Sequence, residues 1–491
     1  MSNFLNALKT EANYAYTENG AITHRTTHSA LLDMFAMGGA YRNRSDDDVI
    51  LLFKNAYEEN PVYALKCLFY LRDVRGGQGE RRFFRVVMKW LASSKDREAA
   101  RRNLNNVAEY GRWDDLYCFV GTPLENDAFE IIRSQLALDV QCKTPSLLAK
   151  WLKSENTSSR ESRRLAQKTR TYLGWSHKQY RRTLSILRER INVLERLMSA
   201  GKWDEIEFDK IPSKAGLVYR NAFARRDIIK AKYEAFAKSD AKVNASVLNP
   251  VDIAEQVFNY GYWNKPSATD RAMLDKYWEN LKDYYNGRQE TGIAMVDVSG
   301  SMTGTPMNAA VSMGAYIAER GKGPFKDHFI TFSQDPELVK FEGVDIYDKF
   351  QRARQADWGM NTNIQSAFNM LLDTALRNGC TQADMPEVLY IFSDMEFDGC
   401  IRGRSGQIRG ETGVNTLLES IATEWKMYGY ELPRVVFWNL NARNNNIPAL
   451  GGRFSYVSGF SMNMVEEILS GEDGYSLMMK KLDSERYEEV R

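Results

Sequence analysis

Oxygen-bearing side chains alternate along Asp297-Val-Ser299-Gly-Ser301, directly after the apolar run Gly292–Val296. A turn at the end of a buried strand would direct these side chains toward one point. Mg²⁺ is a hard cation that prefers about six oxygen ligands, and parallel sheets bind ligands beyond the carboxyl ends of their strands. The spacing therefore predicts a divalent cation bound by Asp297, Ser299 and Ser301.

Two later segments add oxygen ligands in chain order. Asp297–Met302 (DVSGSM) resembles the metal-ion-dependent adhesion site of von Willebrand factor A domains. Trp358–Asn363 (WGMNTN) resembles the threonine loop of these domains, and Tyr390–Glu396 (YIFSDME) resembles the strand that supplies their last aspartate. The resemblance implies a site for Mg²⁺, or for another divalent cation such as Mn²⁺ or Ca²⁺. Its ligands would be Asp297, Ser299, Ser301, Thr362 and Asp394.

Two alternatives to this site remain open. Asp398 is a nearby carboxylate that competes with Asp394 for the last position. A degenerate domain, in which Asp297 only caps the following helix through hydrogen bonds, is the second alternative. The predicted fold is the same in either case.

Strands and helices alternate after about Arg288. Short apolar runs predict strands at 292–297, 328–333, 387–394 and 434–440. Apolar residues at helical spacing predict helices at 305–318, 363–376, 414–427 and 464–469. This alternation argues for a doubly wound parallel sheet covered on both faces. We therefore predict an α/β, Rossmann-like von Willebrand A domain at residues 289–491.

The first 288 residues have the periodicity of helices almost throughout. Apolar stripes predict helical segments near 46–71, 83–91, 99–110, 128–140, 147–152, 180–199 and 254–260. Many short helices with little strand-like alternation predict an α-solenoid of HEAT-like repeats. An irregular helical bundle is the alternative, because the segments show no clean repeat period.

The net charge of +2 conceals an asymmetry between the two parts. Residues 289–491 hold 19 Lys and Arg against 28 Asp and Glu, a net charge of −9, whereas residues 1–288 hold 47 against 36, a net charge of +11. Residues 160–190 contain ten basic and only two acidic residues, with aromatic residues among them. Basic side chains contact phosphates and aromatic rings stack on unpaired bases. The segment predicts RNA contacts at Arg160, Arg163, Arg164, Lys168, Arg170, Lys178, Arg181 and Arg182, with a solvated helix face as the alternative.

Three motifs mark the helical region: RDVRGGQGER at 72–81, YGRWDDL at 110–116 and LLAKWLKSENT at 147–157. The first lacks the lysine–serine ending of a phosphate-binding loop, so it predicts an inter-helix turn with local ion pairs. The second predicts a turn with a buried tryptophan. Together with AITH (21–24) and THSALLD (27–33), the motifs resemble the TROVE domain of Ro ribonucleoprotein proteins over about residues 15–235. The likeness is greatest to Ro-like proteins described only as a domain of unknown function.

The Ro resemblance implies a non-catalytic RNA-binding scaffold and a monomer. In that family a ring of helical repeats is closed by the A domain, RNA ends pass through a basic central hole, and structured RNA lies on the outer face. The metal-bearing domain would close the ring or dock a partner. The alternative function is a metal-dependent protein–protein interaction module that binds no RNA, in which a partner's carboxylate completes the metal shell.

Several classes of protein fit the sequence poorly. It has no run of about 18 apolar residues and no basic-then-apolar start, so we predict neither a membrane span nor a secretory signal. Five scattered cysteines without a CxxC pair argue against disulfides and zinc, and favour the cytoplasm. We found no second metal cluster and no pairing of a nucleophile with a base, and predict that the protein is not an enzyme.

Overall fold

The computed structural model describes residues 12–261, 264–288, 290–332, 335–355, 362–399 and 416–491. The chain divides into two compact units. One unit, called the sheet unit below, comprises Met1–Cys67 and Ala245–Ser484. The other, the helical unit, comprises Leu68–Asn244 and Glu485–Arg491. No helix of the described residues is long and apolar enough to cross a membrane.

The N-terminal elements begin with a short antiparallel hairpin. Its strands are β1 (Tyr14–Tyr16) and β2 (Ile22–His24), and they are followed by helices α1 (Ala30–Met37), α2 (Asp46–Glu59) and α3 (Pro61–Arg72). The contacts of residues 12–67 place them in the same unit as the C-terminal sheet. The change of periodicity near Arg288 does not reveal this contribution, and the domain boundary at 288/289 stays a prediction.

The apolar stripe at 46–71 forms two helices rather than one. Ser45 starts α2 with a capping box, in which its hydroxyl and the Asp48 side chain each bond the other's backbone N–H. Asn60 ends this helix and Pro61 begins the next. The proline ring has no N–H to donate and disfavours helical backbone at the residue before it, so it interrupts the stripe.

The helical unit contains a succession of short helices, in agreement with the predicted helical character. Its α4 buries one apolar face, which includes Phe83, Phe84 and Val87. The helices are α4 (Arg81–Ser93), α5 (Arg97–Arg102), α6 (Asn106–Tyr110), α7 (Glu125–Gln141), α8 (Leu148–Trp151), α9 (Arg160–Leu173), α10 (His177–Arg190), α11 (Leu194–Ser199), α12 (Ser213–Arg225) and α13 (Asp227–Lys238).

Two of the sequence motifs meet in a buried ion-pair network. Asp115, from YGRWDDL, is fully buried and lies 2.7 Å from the guanidinium of Arg72, which is 2% exposed. Arg85 contacts the other carboxylate oxygen at 2.6 Å, and the backbone N–H of Arg112 donates to Asp115 at 2.9 Å. A side chain at Gly111 would meet Asp115 Oδ2 at 2.4 Å, so the carboxylate needs a glycine there. The buried charges of this unit thus form an arginine–aspartate cluster. The prediction that Trp113 is buried is wrong, because its side chain is only half-buried.

The glycine-rich block RDVRGGQGER forms a turn with ion pairs, as predicted for it. A side chain at Gly77 would lie 1.9 Å from the Tyr70 carbonyl oxygen, and Gly79 has a positive φ of 67°. The buried carboxylate of Asp73 accepts hydrogen bonds from the Arg486 guanidinium at 2.8 Å and from the Tyr487 hydroxyl at 3.1 Å. The last residues of the chain are therefore held in the helical unit by this turn.

The remaining elements belong to the sheet unit. Helices α14 (Pro250–Phe258) and α15 (Ala268–Glu279) precede the sheet. The sheet strands are β3 (Gly292–Asp297), β4 (His328–Phe332), β5 (Glu337–Lys340), β6 (Val388–Ser393), β7 (Arg434–Asn439) and β8 (Phe454–Ser458). The helices between and after them are α16 (Thr305–Arg320), α17 (Ile346–Ala353), α18 (Ile364–Asn378), α19 (Leu417–Met427), α20 (Val465–Ile468) and α21 (Gly474–Leu482).

The six strands form one mixed sheet in the order β5-β4-β3-β6-β7-β8. All neighbouring pairs are parallel except β4 with β5, which is antiparallel. The chain leaves β3 toward one edge and then returns to β6 on its other side, so β3 and β6 flank a topological switch point. In open α/β sheets, ligands bind in the crevice at such a point.

The four predicted strands are confirmed to within two residues at each end. Edge strand β5 and strand β8 were not predicted. Strand β5 lacks the regular alternation of buried and exposed residues that predicts a strand, since only Val339 of its four residues is buried. The predicted combination of a helical region with an α/β region is confirmed, and the sheet is mixed rather than wholly parallel.

A half-buried carboxylate between α15 and α17 gives the sheet unit a pH-dependent stability. Asp275 accepts a hydrogen bond from the Ile346 N–H at 2.6 Å, and burial raises its pKa to about 6, with a smaller contribution from Asp345. A raised carboxyl pKa favours the folded state at low pH, and this advantage disappears as the pH rises from about 4 to 6. Relative to Asp275→Asn, the wild type should therefore lose about 1–3 kcal/mol of unfolding free energy over that window. Urea unfolding at pH 4, 5, 6 and 7 measures the difference, and parallel curves for the two proteins would show that Asp275 titrates normally.

Candidate metal centre and basic helical face

Two buried aspartates lie at the switch point of the sheet. Asp297 is the last residue of β3, and Asp394 directly follows Ser393, the last residue of β6. The two strands are parallel neighbours in which Val296 pairs with Phe392. Their carboxyl ends therefore place both aspartates at the same edge of the sheet, and both are at most 1% exposed.

Hydroxyl groups surround Asp297 and extend toward Asp394. Asp297 accepts hydrogen bonds from the Ser299 N–H at 2.9 Å and from the Ser393 hydroxyl at 2.5 Å. The hydroxyls of Ser299 and Ser301 lie 3.1 Å apart, and the Ser301 side chain lowers the pKa of Asp394. Three of the five predicted metal ligands, Asp297, Ser299 and Ser301, are thus joined in one chain of contacts.

Thr362, the fifth predicted ligand, is buried and tied to the segment that follows Asp394. Its N–H donates to Asp398 Oδ2 at 3.1 Å, and the Asp398 N–H donates back to the Thr362 carbonyl at 3.0 Å. Asp398 therefore braces the threonine, and the contacts of the described residues include none between the Thr362 hydroxyl and the other four ligands. Asn363 caps α18 through the Ser366 N–H. The preceding loop residues 358–361 lie outside the described residues.

The electrostatics of the two carboxylates favour a bound cation. Burial and, to a smaller extent, the neighbouring charge of Asp394 together raise the pKa of Asp297 to about 7. Burial also raises the pKa of Asp394, against the opposing effects of Ser301 and Arg443. Two buried carboxylates next to each other cannot both be charged at low cost without a proton or a cation.

Arg443 supplies one positive charge at this edge, which the sequence did not predict. Its guanidinium lies 3.3 Å from Asp394 Oδ2, an atom with no hydrogen-bond partner, and also pairs with Glu18. Asn444, the next residue, donates to Glu18 at 2.9 Å and to the buried Glu396 at 2.9 Å. Glu396 also accepts the N–H of Glu18 at 2.7 Å. These residues come from the loop after β7 and from the N-terminal hairpin, so no local spacing signals them.

The donor set at this edge fits a hard divalent cation. The candidate ligands offer oxygen atoms only, in two carboxylates and three hydroxyl groups, as Mg²⁺ prefers. In the described ranges no three His, Cys, Asp or Glu side chains converge on a common point. Hydroxyl groups must therefore contribute ligands if a metal binds here. Asp394 Oδ2, which makes an ion pair with Arg443 but no hydrogen bond among the described residues, is the natural carboxylate contact.

The basic segment forms two consecutive helices, α9 and α10, joined at Gly174, whose φ is 67°. Three of its eight predicted RNA-binding residues are neutralised by carboxylates. Lys168 pairs with Glu125 at 2.6 Å, Arg170 with Glu155 at 2.9 Å and Arg164 with Glu161 at 2.7 Å. The other five are exposed and have no carboxylate partner in the part of the chain that the structure describes: Arg160, Arg163, Lys178, Arg181 and Arg182.

The aromatic residues of this segment serve mainly in packing. Tyr180 is fully buried and donates its hydroxyl to the Lys153 carbonyl at 2.8 Å. Tyr172 stacks on Phe129 and donates to Glu130 at 3.1 Å. Half-buried Trp175 lies at the junction of the two helices. The two helices therefore present charge to solvent, and they offer few aromatic faces for stacked bases.

Fold and site together define a helical protein that also carries an α/β unit with a buried acidic centre at its switch point. Comparison with protein families matches residues 17–144 and 135–286 to the domain of unknown function DUF2828, and residues 291–490 to the domain of unknown function DUF7788. The chain is 30% identical over 510 residues to uncharacterized protein L728 of Acanthamoeba polyphaga mimivirus. The alignment covers 94% of this chain and 86% of the viral protein. The chain therefore belongs to the DUF2828 family.

Proposed function

We propose that this protein is a non-catalytic RNA-binding scaffold that resembles Ro ribonucleoprotein proteins. The helical unit is of the TROVE-like, HEAT-repeat kind and binds RNA through α9 and α10. The sheet unit is a von Willebrand A-type domain that holds Mg²⁺ and docks a partner. The observation that carries the RNA proposal is the set of five exposed cations on α9 and α10 that lack a carboxylate partner among the described residues.

The metal proposal rests on the contacts that join Asp297, Ser299 and Ser301, and on the buried carboxylate of Asp394, whose pKa the Ser301 side chain lowers. Ser299 and Ser301 are neutral ligands, so a bound Mg²⁺ would keep net positive charge and attract a carboxylate from a partner. This geometry also favours the second candidate function, a metal-dependent protein-interaction module that binds no RNA. The two functions differ in their RNA binding. Under the first, RNA binding weakens when the basic helices lose their charge, whereas under the second the protein binds no RNA at all.

Charge reversal on the basic helices should weaken RNA binding. The variant Arg163→Glu/Arg182→Glu removes two exposed cations with no carboxylate partner, one from each helix. Because each phosphate contact adds about 0.7 to the salt slope for single strands, we expect the loss of two contacts to lower the slope of log affinity against log salt by about 1.4. Filter binding of a structured RNA with single-stranded ends, titrated from low to high salt, measures affinity and slope.

The matched control is Lys230→Glu/Lys238→Glu, which reverses two exposed charges on α13 of the same unit. It changes the net charge by the same amount and should leave most of the affinity intact. Equal losses in both variants would mean that only overall charge matters. No binding by the wild type at low salt would remove the RNA function and leave the protein-interaction module.

A further inference from the structure

A cavity of about 980 Å³ lies within the helical unit. Its walls are the LLAKWLKSENT segment and residues of α10, α11 and α12. Cavities that bind small molecules occupy about 300–1,000 Å³, so this one is large enough for a ligand of nucleotide size. The RNA proposal uses the exposed cations of α9 and α10, of which Arg181 also lines this cavity, and it does not account for the rest of the lining.

The lining of the cavity is strongly basic. Seven cationic side chains and only two acidic ones face it. Both acidic groups already have partners, because Glu155 is bound by Arg170 at 2.9 Å and Glu195 accepts from the Tyr219 hydroxyl at 3.3 Å. The Tyr219 hydroxyl is neutral, so Glu195 keeps its charge, but seven cations against two carboxylates leave the wall with an excess of positive charge.

Three of the lining cations have no carboxylate partner among the described residues: Lys150, Arg181 and Arg188. Other lining cations are paired, since Arg112 and Lys153 both contact Asp114. Arg181 is exposed, and within the described ranges it donates only to the carbonyl of His177, on its own helix, at 3.4 Å. Its charge is therefore available to a molecule in the cavity.

Arg188 is the cation whose environment most favours an anion. It is half-buried, and its guanidinium donates to the carbonyls of Ala149 at 2.8 Å and Leu152 at 2.9 Å and to the Ser154 hydroxyl at 3.0 Å. All three acceptors are neutral. Because an arginine keeps its charge in proteins, they leave the positive charge of Arg188 uncompensated. Burial lowers the pKa of Arg188. A partly desolvated charge without a counter-ion is stabilised by an anion that enters the same space.

Neutral donors and apolar surface complete the wall. Helix α12 begins without a side-chain cap, and Ala215 of its first turn lines the cavity. The N–H groups of a first helical turn favour negative charge. Half-buried Trp151 and Tyr219, together with Val218, which is 63% exposed, supply apolar surface on the same wall. Anionic and flat apolar parts of one ligand can both be accommodated.

We propose that this cavity binds a nucleoside phosphate, whose phosphate group contacts Lys150, Arg181 and Arg188 and whose base packs against the apolar wall. The site is separate from the metal centre and does not depend on the RNA proposal. It gives a role to LLAKWLKSENT, which neither the metal centre nor the exposed basic face uses.

Isothermal titration calorimetry on the full chain in EDTA tests the site, with adenosine monophosphate as the probe and adenosine as its phosphate-free control. We expect the nucleotide to bind at least about tenfold more tightly than adenosine, because charge-assisted phosphate contacts are lost without the phosphate. Arg181→Gln should weaken nucleotide binding by about tenfold. Lys230→Gln removes one exposed positive charge from α13 of the same unit, at a residue that does not line the cavity, and should leave the affinity unchanged.

Lys150→Gln is a second variant, on a different wall of the cavity, and should also weaken the binding of the nucleotide. Equal affinities for nucleotide and adenosine, no binding of either at millimolar concentration, or equal effects of the Arg181 and Lys230 substitutions would each overturn the proposal. An oligonucleotide arm separates the two proposals. RNA binding without nucleotide binding overturns the cavity site alone, whereas nucleotide binding without RNA binding overturns the scaffold function alone.

Discussion

Mg²⁺ should raise the melting temperature of the wild-type protein by about 5 °C when present at about 100 times its dissociation constant, because a ligand that binds only the folded state stabilises it by mass action. The Asp297→Ala/Ser299→Ala variant should show no such shift. It removes a carboxylate and a hydroxyl from the chain of contacts at the switch point. Differential scanning fluorimetry with Mg²⁺ and with EDTA measures the shift for each protein against its own baseline.

The control for this experiment is Asp473→Ala/Ser476→Ala. It removes the same two functional groups from the cap of α21, where the Ser476 hydroxyl donates to Asp473 at 2.7 Å. Loss of the cap lowers the baseline stability by roughly 1 kcal/mol, but the Mg²⁺ shift should persist. Equal shifts in the wild type and the Asp297/Ser299 variant would discard the metal centre.

Asp115→Ala should produce the largest loss of stability in the helical unit, about 3–5 kcal/mol of unfolding free energy. The substitution leaves Arg72, which is 2% exposed, as a buried charge without its partner at 2.7 Å. It also removes the carboxylate oxygen that holds Arg85 at 2.6 Å. Urea unfolding of the full chain, followed by far-ultraviolet circular dichroism, measures the change in midpoint; both units contain helices, so the signal reports on the whole chain.

A surface ion pair provides the comparison for Asp115. Glu161→Ala breaks an ion pair with Arg164 at 2.7 Å, in which both side chains are at least 50% exposed. Solvent screens such pairs, so this substitution should leave the unfolding midpoint essentially unchanged. Similar midpoints for the two variants would show that the buried cluster does not hold the unit together.

Much of the sheet could be predicted from the sequence because its strands are short apolar runs with a clear end. The run from Gly292 to Asp297 is buried almost throughout and terminates in a carboxylate, which marks both the strand and the candidate site. Strand β5 has only one buried residue, Val339, so hydrophobic patterning could not identify it or its antiparallel direction. An edge strand is defined by its neighbour, which a local pattern does not contain.

Arg443, Glu18 and Asn444 show what the sequence could not predict about the candidate site. They reach Asp394 and Glu396 from segments about 50 and 375 residues away along the chain. Nothing in their local spacing differs from an ordinary polar loop. Asp398 lies close to the motif, but only the coordinates indicate that it braces Thr362. The composition of the sequence revealed the basic segment. It did not reveal that Lys168 pairs with Glu125 and Arg170 with Glu155, because these carboxylates come close only in the folded chain.

Electron paramagnetic resonance of Mn²⁺ tests the metal centre most directly, because free and protein-bound Mn²⁺ give distinct signals. Titration of the full chain should reveal one bound ion, which Mg²⁺ displaces and which disappears in Asp297→Ala/Ser299→Ala. The Asp473→Ala/Ser476→Ala protein should still bind that ion. Wild-type protein that leaves all the Mn²⁺ free, or a site that survives the loss of Asp297 and Ser299, would contradict a cation at the junction of β3 and β6.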